Sequence, residues 1–149
     1  MKDITVGDLK AIKVFQDVPD DQLQWMIDRS KHYELPEGEF MTQPAEPITG
    51  THIIFSGRIE LYRIQNNAKL FIAELLPGTI TGSLPFSRGK VGVAYGQTTE
   101  LTQIMTFPVE LLRELIISHY ELTQALVIVM TSRVREFTEF NYTHSLDNG

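Results

Sequence analysis

Between Tyr33 and Phe107 the chain never runs far before a glycine, a proline or a pair of asparagines interrupts it, and this punctuation constrains the fold most. Leu35-Pro36-Glu37-Gly38 is a turn signal between two short extended runs. Gln43-Pro44-Ala45-Glu46-Pro47 reads as a loop, because two prolines so close cannot sit inside a hydrogen-bonded ladder. His52-Ile53-Ile54-Phe55 and Ile59-Glu60-Leu61-Tyr62-Arg63-Ile64 are strands on either side of a tight Ser56-Gly57 turn. Asn66-Asn67 is a hairpin turn leading into the strand Leu70–Leu75, and Val93–Thr98 and Leu101–Phe107 alternate as two more. Many short strands separated by turn residues predict an antiparallel jelly roll or barrel rather than a parallel sheet.

Helical signals flank this region. Ile4, Val6, Leu9, Ile12 and Phe15 have a short, roughly helical period. Val18-Pro19-Asp20-Asp21 starts a helix, with proline in the first turn and two acids placed against the dipole, and it runs through Leu23, Met26 and Ile27 to about Lys31. Trp25 is assigned to core packing. At Pro108 a second helical stretch opens through Leu111, Leu112, Leu115 and Ile116, bends or restarts near His119-Tyr120, and continues to at least Phe137. Val127, Met130, Val134 and Phe137 fall at alternating three- and four-residue spacings, an a/d seam about two heptads long. Ala125 to Met130 is apolar all round, which suggests one side on the barrel and the other against a twin helix. The expected organisation is one domain in three parts: an N-terminal helical segment over 1–32, a β-barrel over 33–107, and C-terminal helices and tail over 108–149.

The stretch from Leu75 to Ala94 differs from the rest. It holds Gly78, Gly82, Gly89 and Gly92, and no acidic residue lies between Glu74 and Glu100, although the net charge of the chain is −6. Arg88 and Lys90 are its only charges. A glycine-rich loop with a tight helical turn and local positive charge describes an anion site. A plain surface loop with two solvated cations is the alternative.

Other chemistries find less support. An acidic chain lacks the basic face that nucleic acid requires. With no cysteine there is no disulfide, thiolate metal site or cysteine nucleophile. His32, His52, His119 and His144 have no paired ligand spacing and are assigned to packing or surface. Gly82-Ser83-Leu84 lacks the flanking pattern of a serine-nucleophile elbow. Glu60 and Arg63 are expected to be solvent-facing partners, and Glu74 to face either ligand or water. The longest apolar run is far too short for a bilayer and the N-terminus lacks a signal-peptide core, so the expectation is a soluble, cytoplasmic protein.

A helix, about eight strands with a glycine-rich loop between the sixth and seventh, and then two helices: this order resembles the cyclic nucleotide-binding domain family. Leu35-Pro36-Glu37-Gly38-Glu39 resembles that family's early turn. His52 to Ile59 is similar to its glycine-centred central hairpin, and Leu76 to Gly82 to the entry of its phosphate-binding cassette, here at about 76–94. The resemblance implies a double-stranded β-helix, or jelly roll, mainly β with N-terminal helices and a C-terminal helix pair.

In that family a Gly-Glu pair opens the cassette and its glutamate holds the ribose 2′-hydroxyl. Gly82-Ser83 stands there in this chain. An arginine before a small-residue-Ala pair neutralises the cyclic phosphate. With Val93-Ala94 as that pair, Gly92 takes the arginine's place, and Pro85 removes a main-chain donor. Arg88 remains as an anion partner, with Ser83, Leu84, Ser87 and the 82–86 main chain as a cradle closed by Val93 and Ala94. Thr81 to Arg88 also resembles the variant cassette of domains fused ahead of sensor histidine kinases.

The resemblance therefore implies a non-catalytic regulatory sensor domain in signal transduction. Its ligand would be a cyclic nucleotide held weakly, or another small anion, with a homodimer through the C-terminal helix and a fused kinase or other output domain. No metal, direct nucleic-acid or membrane partner is expected. A degenerate, non-binding dimerisation scaffold is the alternative, and a cupin-like enzyme a third reading without a metal cluster to support it.

Overall fold

In a computed structural model, residues 2–47, 49–82 and 94–129 are described. Eight strands are defined among them: β1 (Lys31–Leu35), β2 (Phe40–Thr42), β3 (Gly50–Ser56), β4 (Ile59–Gln65), β5 (Ala68–Leu75), β6 (Ile80–Gly82), β7 (Tyr95–Thr98) and β8 (Thr102–Pro108). They form two four-stranded antiparallel sheets, ordered β1-β8-β3-β6 and β2-β7-β4-β5. The expected jelly roll with flanking helices is the fold.

The two sheets face each other across a small inner core of Ile54, Ile59, Leu75 and Ile104, with Tyr33, Leu35, Met41 and Leu61 packed against it. A larger core lies on the far face of the first sheet. There Ile53, Ile80, Met105 and Phe107 meet Leu9, Phe15, Leu23 and Met26 of the N-terminal segment and Leu112, Leu115, Leu122 and Leu126 of the C-terminal one. β3 and β8 are thus covered on both faces, which is why they read as nearly continuous buried runs while β4 and β7 alternate. Trp25 packs on this core as expected, with its ring 5.6 Å from Phe107 and 4.4 Å from His119.

The helices are shorter than their sequence periodicity suggests. Residues 4–15 do not form one helix. They split into α1 (Val6–Lys10), opened by a reciprocal cap between Thr5 and Asp8, and a 3-10 turn over Lys13–Phe15. α2 (Asp20–Arg29) ends before Lys31, because Ser30 turns extended and its hydroxyl donates to the Met26 carbonyl at 2.7 Å. Lys31 already belongs to β1, paired with Thr106. At the C-terminal side Pro108 ends β8, a 3-10 turn follows, and α3 (Leu112–Ser118) stops at His119. A further helix, α4, covers 120–129. The break at His119-Tyr120 is where the sequence placed it. Gln22 of α2 seals it, accepting from the Leu122 N–H at 3.0 Å and donating to Glu121 at 2.6 Å. That donation, above all, holds the Glu121 carboxyl below its usual value.

The Asn66-Asn67 turn is a hairpin as predicted. Both residues have positive φ (53° and 63°), and Gln65 pairs Ala68. Two positive-φ residues match the strand twist, and asparagine tolerates that conformation. The Ser56-Gly57 turn is not a hairpin. β3 pairs β8 while β4 pairs β7, so this turn carries the chain from one sheet to the other. Gly57 has φ +89°, and a Cβ there would stand 2.3 Å from Thr102 Oγ1 and 2.4 Å from the Leu101 carbonyl oxygen. Close packing of two corners, rather than strand pairing, explains the glycine. Glu60 also differs from expectation: it pairs with Lys69 at 3.1 Å across the β4–β5 ladder, not with Arg63. Glu74 faces Arg58 at 3.6 Å. The seam residues Met130, Val134 and Phe137 lie outside the described residues.

Gly57→Ala combines a disfavoured φ with a backbone clash and is expected to lower stability by about 2–4 kcal/mol. Gly7→Ala lies inside α1 with the nearest contact at 3.6 Å, and should change stability by no more than about 1 kcal/mol. Urea unfolding of the two variants beside wild type checks the contrast.

Candidate functional site

Three of the crossings between sheets, at 36–39, 57–58 and 76–79, use a positive-φ glycine: Gly38 (88°), Gly57 (89°) and Gly78 (91°). A fourth, at 99–101, uses threonines. Thr98 Oγ1 donates to the Pro36 carbonyl at 2.6 Å, and Thr102 Oγ1 accepts from the Arg58 N–H at 3.1 Å. The remaining connections between the sheets are 43–49, between β2 and β3, and the one that joins β6 to β7.

A cavity of about 240 Å³ lies beside the first of these and the two described ends of the second. Met41, Thr42 and Leu61 contribute from the second sheet, and Glu46, Pro47 and Thr49 from the β2–β3 connection. His52, Thr81 and Gly82 contribute from the first sheet, and Ala94 from the residue before β7. Gly82 ends β6 opposite Thr51 with φ +112°, and a Cβ there would sit 2.2 Å from the Gly50 carbonyl oxygen. Only glycine lets the chain leave the sheet so close to β3.

Of the site residues chosen from sequence, Gly82 and Ala94 are brought together on this cavity. Ser83, Leu84, Ser87, Arg88 and Val93 lie outside the described residues, as do Pro85, Lys90 and Gly92. The described wall adds residues that sequence reasoning missed. Thr42, Thr49 and Thr81 bring hydroxyls, Met41 and Leu61 apolar surface, and Glu46 a carboxylate. No lysine or arginine lines the cavity among the described residues.

His52 is the least expected of them. It is 7% exposed, packed as the sequence suggested, yet it also lines the cavity. Its Nδ1 lies 2.8 Å from Thr106 Oγ1, and that hydroxyl lies 2.9 Å from Tyr33 Oη. Burial pushes the imidazole down from 6.5 to about 4, so it is neutral at physiological pH. Burial likewise pushes the Tyr33 phenol up. No sequence signal marked it: His52 faces Thr81 because β3 pairs β6 at the cassette entry. The other described histidines pack elsewhere, His32 on the Ile27 carbonyl at 2.9 Å and His119 on Trp25. No group of three or more potential metal ligands occurs among the described residues. Nor is any of their helices long and apolar enough to cross a membrane.

The depressed His52 value fixes the sign of a pH effect. Below pH 6.5 the unfolded chain takes up a proton that the folded site refuses, whereas above it neither state does. Its share of stability is whole above about pH 6.5, falls as the pH drops toward 4, and levels below that. The shift corresponds to about 3 kcal/mol. His52→Gln should flatten that part of the profile, measured as the difference between the two proteins' unfolding free energies at pH 7 and pH 4.5.

Comparison with known proteins agrees with the geometry. Residues 33–119 match the model of the cyclic nucleotide-binding domain. No curated protein sequence matches the chain. Among solved structures, it is similar to the sensor domain of the transcriptional regulator DNR from Pseudomonas aeruginosa, with TM-score 0.71 and 17% identity over 89% of this chain and 90% of that one. A cyclic nucleotide-binding domain from Methylobacillus flagellatus gives TM-score 0.77 and 16% identity over 97% and 82%. Thermus thermophilus catabolite activator protein gives 0.75 and 17% over 89% and 62%. At these identities the structures establish shared fold, and the match over 33–119 establishes kinship: the chain belongs to the cyclic nucleotide-binding domain family.

Proposed function

We propose that this protein is a regulatory sensor module that admits a small anionic ligand to the cavity bordered by the β2–β3 connection, Gly82 and Ala94. The observation that carries this reading is the meeting of Gly82 and Ala94, the two described ends of the cassette, on one cavity. Arg88 would meet the anion, with Ser83, Leu84 and Ser87 cradling it and Val93 beside Ala94. Because Gly82-Ser83 replaces a Gly-Glu pair and Gly92 stands where the family has arginine, cyclic AMP and cyclic GMP are expected to bind weakly or not at all. The ligand would shift the population of cassette and C-terminal helix arrangements, which is how such a module reports occupancy.

The chain would act as one unit in the cytoplasm, as a homodimer through the seam of Val127, Met130, Val134 and Phe137. Exposed Val127 (42%) and Ile128 (58%) on α4 support that contact. A fused output domain, of which a histidine kinase is one candidate, would read the dimer. A second reading, a non-binding dimerisation scaffold, draws support from the lack of a cation on the described cavity wall.

Calorimetric titration with cyclic AMP and cyclic GMP, followed by a thermal-shift screen of anionic metabolites, tests the choice. A hit that Arg88→Ala weakens at least about tenfold, with the fold intact, is the expected outcome. An empty screen would favour the scaffold. For the dimer, Val134→Glu should yield monomers in sedimentation while the barrel stays folded, and a wild type that is monomeric at every concentration would remove the seam.

A further inference from the structure

The inner face of the first sheet carries a row of hydrogen-bonding side chains that crosses three adjacent strands: Tyr33 on β1, Thr106 on β8 and His52 on β3. Thr106 and His52 are each 7% exposed, and Tyr33 packs on the inner core. Such a buried row must place each of its protons.

With a neutral imidazole the row has three protons, one on each member, and two internal hydrogen bonds. If the bonds run from His52 to Thr106 to Tyr33, the surplus proton is left on the half-buried Tyr33 phenol, which packs on the inner core and does not border the cavity. If they run from Tyr33 to Thr106 to His52, Thr106 donates to Nδ1 and the surplus proton sits on Nε2. His52 borders the cavity, so a proton there can meet a ligand or water. The second direction brings the surplus proton to the end of the row that borders the cavity.

We propose that Tyr33 and Thr106 hold His52 as a fixed Nε2–H donor on the cavity wall, a specificity element for an uncharged acceptor atom, such as a carbonyl oxygen or ring nitrogen, on a planar ligand. The surroundings suit that part of a ligand rather than its anionic end. Met41 and Leu61 provide apolar surface, Thr42 and Thr81 further hydroxyls, and the ionised side chain on the described wall is a carboxylate, Glu46. A neutral donor selects acceptors and rejects other donors, because a mismatch leaves both groups unpaired. The proposal rests on the cavity reading above for its ligand, and on the hydrogen-bonded row for its donor.

Nitrogen-15 NMR of the histidine-labelled 149-residue chain at pH 7 separates the two directions. The expected wild-type spectrum has His52 protonated on Nε2 and bare on Nδ1. Thr106→Ser should retain that tautomer and Thr106→Val should lose it, with thermal unfolding confirming that both variants fold. An Nδ1–H tautomer in wild type, or a Thr106→Val spectrum identical to it, overturns the proposal. Adenosine, guanosine, cyclic AMP and inorganic phosphate then serve as probes. A probe with a heterocycle that moves the Gly82 and Ala94 amides should also move His52 Nε2, and His52→Ala should weaken it about tenfold, whereas phosphate should leave Nε2 unmoved. Movement at Gly82 and Ala94 with Nε2 silent overturns the specificity role. If no probe moves Gly82 or Ala94, the ligand reading fails for these probes, and the tautomer result alone upholds or overturns the fixed donor.

Discussion

One buried threonine hydroxyl holds the two sheets in their relative position. Thr102 Oγ1 donates to the Glu100 carbonyl at 2.9 Å and accepts the Arg58 N–H at 3.1 Å, and it touches the space that any side chain at Gly57 would fill. The corner leading from β3 to β4 and the corner leading from β7 to β8 are thereby packed together. Since β3 pairs β8 and β4 pairs β7, both corners must turn at the same level for the two ladders to stay in register. A second threonine does the same for the crossing from β1 to β2: Thr98 bonds through its main chain to Gly38 and Glu39 and through its hydroxyl to Pro36.

This arrangement leaves the polar capacity of the crossings satisfied locally and frees the remaining connections to build a cavity. The β2–β3 loop and the two ends of the cassette border it, and the inner face of the first sheet supplies His52 and Thr81. The same strand β3 serves two cores. Ile54 points between the sheets and Ile53 packs under the helices, so any displacement of β3 is felt by α2, α3 and α4. Gln22 ties α2 to the start of α4, which gives the C-terminal helices a polar anchor on the N-terminal segment. Cavity wall and C-terminal helices therefore share a strand and its two packed faces, a path along which the proposed ligand would act.

Much of this was legible before any coordinates. The turn at Pro36–Gly38, the Asn66-Asn67 hairpin and the interruption at His119 are local events, set by φ preferences and by residues a few positions apart. The Ser56-Gly57 turn shows the limit. Its glycine was correctly read as a turn, but whether the flanking strands pair with each other depends on β7 and β8, some forty residues away. The end of α2 was misplaced for a similar reason. Lys31 has acceptable helix propensity, yet its pairing with Thr106 outweighs it.

The sequence alone determined the class of fold and carried the resemblance to the family, because turn residues, strand alternation and motif spacing are properties of neighbouring positions. Only the tertiary structure decided which strands share a sheet, that Gly82 and Ala94 border one cavity, and that His52 stands beside them, neutral and tied to Tyr33 through Thr106. The physical reason is sequence distance. Tyr33, His52 and Thr106 lie far apart along the chain, and no local preference of any of them encodes a hydrogen bond that forms when β1, β8 and β3 come together in one sheet.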